Sequence, residues 1–252
     1  PTQFAYILNH PESAKDLSYL RFARSASAPL SPEIHRRFEE RFNIPIIETM
    51  GLTETGSQIT TNPLPPAIRK IGSPGTAFGN EIMIGDDTLA AVPAGTVGEI
   101  LVRGANVMQG YLNQPEETAK TISSDGWLRT GDLGYLDQDG YVFVSGRIKE
   151  LIIKGGENIA PREIDEALLE HEAVLEAAAF AVPCENYGER VEACIRLKEQ
   201  VQASASDLLA HCQTRLGKFK SPDTIHILED LPKGPSGKVQ RLKLFGLVYP
   251  AE

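Results

Sequence analysis

Thr53 and Glu54 stand side by side in the run Thr49-Met50-Gly51-Leu52-Thr53-Glu54-Thr55-Gly56, directly after an apolar stretch. A hydroxyl donates to a phosphate oxygen, and a carboxylate holds Mg²⁺, a hard cation that prefers oxygen ligands. Gly51 lets backbone approach a flat base or an acyl group, because no Cβ intervenes. The same run is also read as a polar turn after a strand. Asp132, in Trp127-Leu128-Arg129-Thr130-Gly131-Asp132-Leu133-Gly134, offers two acceptor oxygens to a vicinal diol such as a ribose. Equally, it is an Asp-containing turn entering a hairpin.

Two further groups lie beyond residue 145. Arg147 and Lys149 flank a change in sequence style where a hinge fits, and Gly155-Gly156 could let backbone run close to an extended ligand. A linker with surface charges is the plainer reading. Lys238 sits in the Gly/Pro loop Pro232 to Arg241, where it could carry a point positive charge to a reaction elsewhere. It is no Walker-type phosphate loop, since Pro232 takes the place of the first glycine and Val239 follows the lysine. A basic loop is also simply a solvated loop.

These groups need elements to position them. Thr2 predicts a short helix to Leu8, Tyr19 to Arg24 a strand, and Ser31-Pro32 the cap and first turn of a helix carrying Ile34, Phe38 and Phe42 at helical spacing. Ile44 to Glu48 reads as a strand, so this region is a piece of an α/β layer. From Lys70 to Tyr111, short β segments (81–84 and 98–103) broken by Gly and Pro suggest a small β-barrel-like part or sheet. Pro115 to Ile122 reads as a helix. A hairpin of 134–136 and 141–145 turns at Asp137-Gln138-Asp139-Gly140. Beyond Gly146, strands at 151–154, 174–182, 192–198 and 224–228 with helices at 161–171 and 206–216 make a small α+β unit able to fold alone. The expected division is 1–146, a hinge at 147–149, and 150–252.

Composition bounds the function. With 41% hydrophobic and 23% charged residues the 252-residue chain is globular. A net charge of −9 disfavours a broad phosphate-tracking surface, and hence nucleic acid as main partner, while leaving room for a local basic patch that meets a small phosphorylated ligand. Cys184, Cys194 and Cys212 are an odd number without CxxC spacing, which points to a reducing, cytoplasmic setting and to core or surface thiols. The apolar stretch Ala173 to Val182 contains Glu176 and is too short to span a bilayer. No secretory signal is visible, and Pro250-Ala251-Glu252 is not a peroxisomal address.

Four modest signals in this order carry a joint message. With Ser25-Ala26-Ser27-Ala28-Pro29-Leu30, Gly98-Glu99-Ile100 and Gly110-Tyr111-Leu112, they resemble the adenylate-forming superfamily along the whole chain, from Pro1 through Lys238. Lys149 to Asn158 looks most like its acyl-CoA synthetase branch. The resemblance implies the C-terminal part of a large AMP-binding domain, followed by a small mobile domain. It implies an acid:CoA ligase that uses ATP, Mg²⁺ and CoA to activate a small carboxylic acid, in the manner of fatty-acid metabolism. Carried over, Ser27, Ala28 and Pro29 with Glu48, Thr49, Met50 and Gly51 flank adenine. Thr53 contacts the α-phosphate, Glu54 binds the metal, and Asp132 holds the ribose with help from Arg147. Lys238 bridges carboxylate and phosphate, and Lys149 is the hinge pivot. Gly155, Gly156, Tyr187 and Phe219 meet CoA.

Met50 stands where many relatives place an aromatic residue, and Ala26 where Gly is frequent, which puts base stacking in question at Met50. The family's glycine-rich phosphate loop and most of its acyl pocket lie upstream of residue 1. The expectation is therefore a truncated fragment, inactive alone, with the missing N-terminal half as a partner. Two other functions compete: an adenylation domain loading a carrier protein, and a non-catalytic nucleotide-binding module.

Overall fold

Ile46 and Ile47 are buried, and the strand they open, Ile46–Leu52, pairs in parallel with Ala23–Ser25. Parallel neighbours need a crossover, and the helix Pro32–Phe42 supplies it, burying His35 and Phe38. This is a computed structural model, and it describes residues 1–10, 17, 19–235 and 237–250. Ser236, within the Pro232 to Arg241 loop, and the terminal Ala251 and Glu252 lie outside the described residues. Ser31 occupies the helix cap, but through its carbonyl; its hydroxyl makes no capping bond. Asn43 closes the helix in the left-handed region at φ 53°.

The strand expected over Tyr19 to Arg24 is corrected to Ala23–Ser25. Leu20 N–H donates to Leu17 O in a turn, and Tyr19, Leu20 and Phe22 are exposed. Strand propensity is realised only where a partner exists, and the partner register begins at Ala23 opposite Ile46. Ser57–Thr61 and Thr76–Ala77 complete this four-stranded sheet in antiparallel fashion.

The barrel-like part is also corrected. Glu81–Gly85, Gly98–Arg103, Leu128–Leu136 and Val142–Arg147 form an open antiparallel sheet whose outer strands do not pair. Four strands are too few for the tilt and stagger that closure demands. The sheet instead buries Ile84, Ile100 and Val142 beneath neighbours that include Met50 of the first sheet.

The chain divides into two compact units, His10–Ile148 with Pro1 and Gln3, and Lys149–Glu252 with Thr2 and Phe4–Asn9. In the second, Val174–Cys184 pairs with Gly188–Leu197, which also adjoins Ile152–Lys154 and, in parallel, Thr224–Ile227. Alternate residues point to opposite faces. Val174, Ala179, Val191 and Ile195 pack under the helices Pro161–Leu169 and Ala205–Lys220, while Ala178, Phe180, Val182 and Cys194 pack with Leu231 and Leu244. Burial on both faces explains why Ala173–Val182 reads as a continuous apolar run. Ser204 caps the second helix, and its regular part stops where Gly217 takes φ 74°. Burial pushes the thiols of Cys194 and Cys212 up to about 11, so both are inert core filler. Among the described residues no helix is long and apolar enough to cross a membrane.

Glu39 ties the first layer together, accepting from Ile46 N–H at 2.6 Å, from Arg69 Nη1 at 2.5 Å, and bonding His35 Nε2 at 3.0 Å. Burial alone would raise its carboxyl; the Arg69, Ile46 and His35 contacts outweigh burial and hold it below its ordinary 4.5. A depressed folded value contributes stability above the unfolded value, which is lost as pH falls through the folded one. Glu39→Gln is expected to flatten that acid limb. Urea unfolding at successive pH values below 4.5 checks it, with a slope equal to the parent's as the contrary result.

Candidate functional site

Ala23–Ser25 and Ile46–Leu52 end on the same side of the first sheet, and a cleft of about 410 Å³ opens beyond them. Ser27 on one wall and Ser57 on the other hold positive φ, 74° and 117°. Non-glycine residues kept there carry strain, and such strain gathers at functional sites. Between Met50 and Gly51 the register with Ser57–Thr61 shifts. A bulge of this kind re-aims the chain, and Thr49 and Met50 before it and Thr53 after it line the cleft. Gly51 has no alternative: a Cβ there would lie 1.8 Å from Ser57 O.

Glu48, one residue before the cleft, is buried and directed away from it. Its Oε2 accepts from Leu30 N–H at 3.4 Å, and its Oε1 from Gly72 N–H at 3.3 Å and His35 Nδ1 at 3.0 Å. One carboxylate thus clamps the Ser25–Leu30 turn, the crossover helix and the 70–75 segment to the strand that feeds the site. Ala28 and Pro29 belong to the clamped turn without lining the cleft.

Glu54 follows in the single turn Thr53–Thr55. Tyr111 Oη donates to its Oε1 at 3.0 Å, and its carbonyl accepts from Met108 N–H. Among the described residues no group of three His, Cys, Asp or Glu could hold a metal. One carboxylate still suits Mg²⁺, which binds through one or two carboxylates plus substrate phosphates. On the second sheet, Asp132 is buried opposite Arg147, whose Nε donates to Oδ1 at 2.8 Å. The positive φ of Gly131, 71°, and the backbone N–H bond from Asp132 to Thr130 Oγ1 set that strand end.

In the second unit, Lys149 is exposed in the turn Ile148–Glu150. Gly155 and Gly156, at φ 60° and 85°, reverse the chain between Ile152–Lys154 and Glu157–Ile159. Gly155 N–H donates to Tyr187 O at 2.8 Å, and Lys154 Nζ bonds Phe219 O at 3.0 Å while lying near both the Tyr187 and Phe219 rings. Gly155, Tyr187 and Phe219, from three separate stretches of sequence, thus meet at one corner, around a buried lysine. Lys238 stands on a loop staked at both ends. Lys233 pairs with Glu176 and Asp230, and Arg241 with Glu150 and Asp165 while also donating to Ala179 O. Gly237, at φ 77°, forms the tip beside Lys238.

Residues 1–112 match the AMP-binding enzyme family, and residues 163–238 match the AMP-binding enzyme C-terminal domain. This chain belongs to the AMP-binding enzyme family. It is 54% identical over 245 residues to sulfoacetate--CoA ligase of Cupriavidus necator, covering 97% of the chain and 48% of that protein. Oxalate--CoA ligase of Saccharomyces cerevisiae is 39% identical over 96% of the chain and 44% of its own length. ATP-bound MatB from Rhodopseudomonas palustris superposes with a TM-score of 0.92 at 33% identity, over 99% of this chain and 50% of that one. The chain spans about half the length of the curated relatives it matches.

Of the family residues expected from sequence, Ser27, Thr49, Met50, Gly51 and Thr53 share the cleft. Asp132 and Arg147 form a pair of their own. Sequence reasoning missed Arg24 and Gln58 on the cleft wall, Lys154 at the glycine corner, and Arg241 as a stake. A charged residue inside a short strand was the available signal for Arg24 and Lys154. Gly51→Ala is expected to destabilise the first unit by about 1–3 kcal/mol, since overpacking here meets backbone. Chemical unfolding checks this; a parent-like unfolding free energy would contradict it.

Proposed function

We propose that this chain supplies the nucleotide-facing wall and the catalytic lysine of an AMP-forming acid:CoA ligase. In the first half-reaction a carboxylate oxygen attacks the α-phosphorus of ATP, the α–β anhydride bond breaks, and pyrophosphate leaves. In the second, the CoA thiolate attacks the acyl carbon and AMP leaves. The observation that carries the reading is the cleft: a strand end delivers Thr53 past a glycine that tolerates no side chain, facing the strained Ser27 turn. Two relatives are named for the CoA ligation of short polar acids, sulfoacetate and oxalate, which supports CoA as the thiol and a short acid as substrate.

In this proposal Ser27 to Pro29 and Glu48 to Gly51 shape the adenine seat, with Glu48 acting through the backbone it clamps. Thr53 donates to the α-phosphate. Asp132, held by Arg147, accepts from the ribose hydroxyls. Glu54, fixed by Tyr111, holds Mg²⁺, which when bound offsets triphosphate charge. Lys238 brings an ammonium between two anions that repel each other, an electrostatic aid greatest in the transition state. Lys149 is the pivot between the two half-reactions, and Gly155, Gly156, Tyr187 and Phe219 receive CoA. The complete cycle is proposed for the longer protein, with the 252 residues alone inactive, and the setting cytoplasmic.

The test is acid-dependent ATP–pyrophosphate exchange together with CoA-dependent release of AMP. Lys238→Ala is expected to lower exchange about 10²–10³-fold, by analogy with losing one oxyanion donor. Its unfolding midpoint is measured alongside, so that a loss of exchange is separated from a loss of folding. Undiminished exchange in the variant contradicts the role of Lys238. AMP release that answers a phosphopantetheinyl carrier and not CoA contradicts the ligase.

A further inference from the structure

The cleft of the first unit contains a cation that the proposed chemistry leaves unused. Of the described residues lining it, Arg24 alone is charged. The side chain is exposed and lies across three strands: Nε donates to Thr49 Oγ1 at 3.3 Å and Nη2 to Gln58 Oε1 at 2.5 Å. Both partners are neutral. No described carboxylate lies within ion-pair distance of Arg24, although the chain carries an excess of nine negative charges. Arg69, Arg129, Arg147 and Arg241, by contrast, each meet a carboxylate.

A guanidinium has five N–H donors in a rigid planar fork. Two are spent on Thr49 and Gln58, which fix the plane of the group at the cleft wall. The remainder suit an oxyanion taken in bidentate fashion, the geometry arginine provides and lysine does not. Within the proposed ligase, on which this inference rests, the reacting carboxylate meets Lys238 and the nucleotide phosphates meet Thr53 and Glu54. The charge on Arg24 therefore answers to a second anion in the same cleft.

We propose that Arg24, oriented by Thr49 and Gln58, selects short acids that carry a second anionic group, a carboxylate or sulfonate, beyond the carboxylate that is activated. Arg24 is then a specificity-determining residue. It touches the end of the acid that does not react and takes no part in bond making.

The experiment measures acid-dependent ATP–pyrophosphate exchange by the full protein as it occurs in the cell, with acetate and propionate against malonate, succinate and sulfoacetate. The parent is expected to favour the dianionic acids. Arg24→Gln is expected to lower the ratio of kcat/KM for dianionic over monoanionic acids by about 10- to 100-fold, the worth of a hydrogen-bonded charge. The change appears in KM for the acid, and Arg24→Lys restores part of it. A parent that prefers monoanionic acids, or a ratio unmoved by Arg24→Gln, overturns the proposal while leaving the ligase in place. So does a rise in KM for ATP at constant ratio, which would make a nucleotide phosphate the ligand of Arg24. A ratio that falls equally in both variants alongside a lowered unfolding midpoint assigns Arg24 to folding and overturns it too. Absence of exchange with every acid overturns the ligase itself, and the inference with it.

Discussion

A single buried carboxylate sets the geometry of the cleft. Glu48 receives hydrogen bonds from Leu30, Gly72 and His35, which lie in a turn, a loop and a helix. Taking such a charge out of water is unfavourable unless its oxygens are satisfied, and here donors reach both. The penalty for losing those donors is what makes the arrangement specific. The Ser25–Leu30 turn cannot drift from the strand Ile46–Leu52 without stranding a buried charge. Ser27 therefore stays opposite Thr49, Met50 and Thr53, and the gap between them persists as a cleft.

The second unit applies the same physics to a loop. Arg241 is largely buried, with Asp165 and Glu150 as its counter-charges, and Lys233 is held by Glu176 and Asp230. Buried ion pairs contribute little net stability against a well-packed apolar alternative, yet breaking one is costly. Their use here is positional: a Gly/Pro segment without regular structure is pinned at both ends, so the tip carrying Lys238 is restricted in where it can go. Gly155 and Lys154, with Tyr187 and Phe219 about them, make a comparable fixed corner at the start of the same unit.

Much of this was legible in the residue pattern. Pro32 marked the first turn of its helix, and 98–103 was drawn to the residue. The strand read over 174–182 is present as Val174–Cys184, and its apolar run is explained by burial on both faces, which only the structure reveals. The chemistry-bearing runs were found because residue types with few structural uses, Thr-Glu after a strand or Lys in a Gly/Pro loop, are visible without knowing the fold. The failures share one cause. Tyr19 to Phe22 has strand-forming residues but no partner, and the strands between Glu81 and Arg147 have barrel-like spacing but only an open sheet to join. Pairing is a property of two segments, and one segment cannot report it. Side-chain direction was hidden for the same reason. Glu48 points to the helix layer and Arg24 into the cleft because of the register Arg24↔Ile47 and Ser25↔Glu48. That register is set by contacts spread over some forty residues of chain.

The claim that Glu48 is the clamp is tested most directly by amide hydrogen exchange in Glu48→Ala. The account predicts that Leu30 and Gly72 lose their protection together, while unfolding free energy drops by about 3–5 kcal/mol, as when one partner of a buried charged cluster is removed. Parent-like protection at both amides would show that the cleft holds its shape without the carboxylate, and would contradict the account.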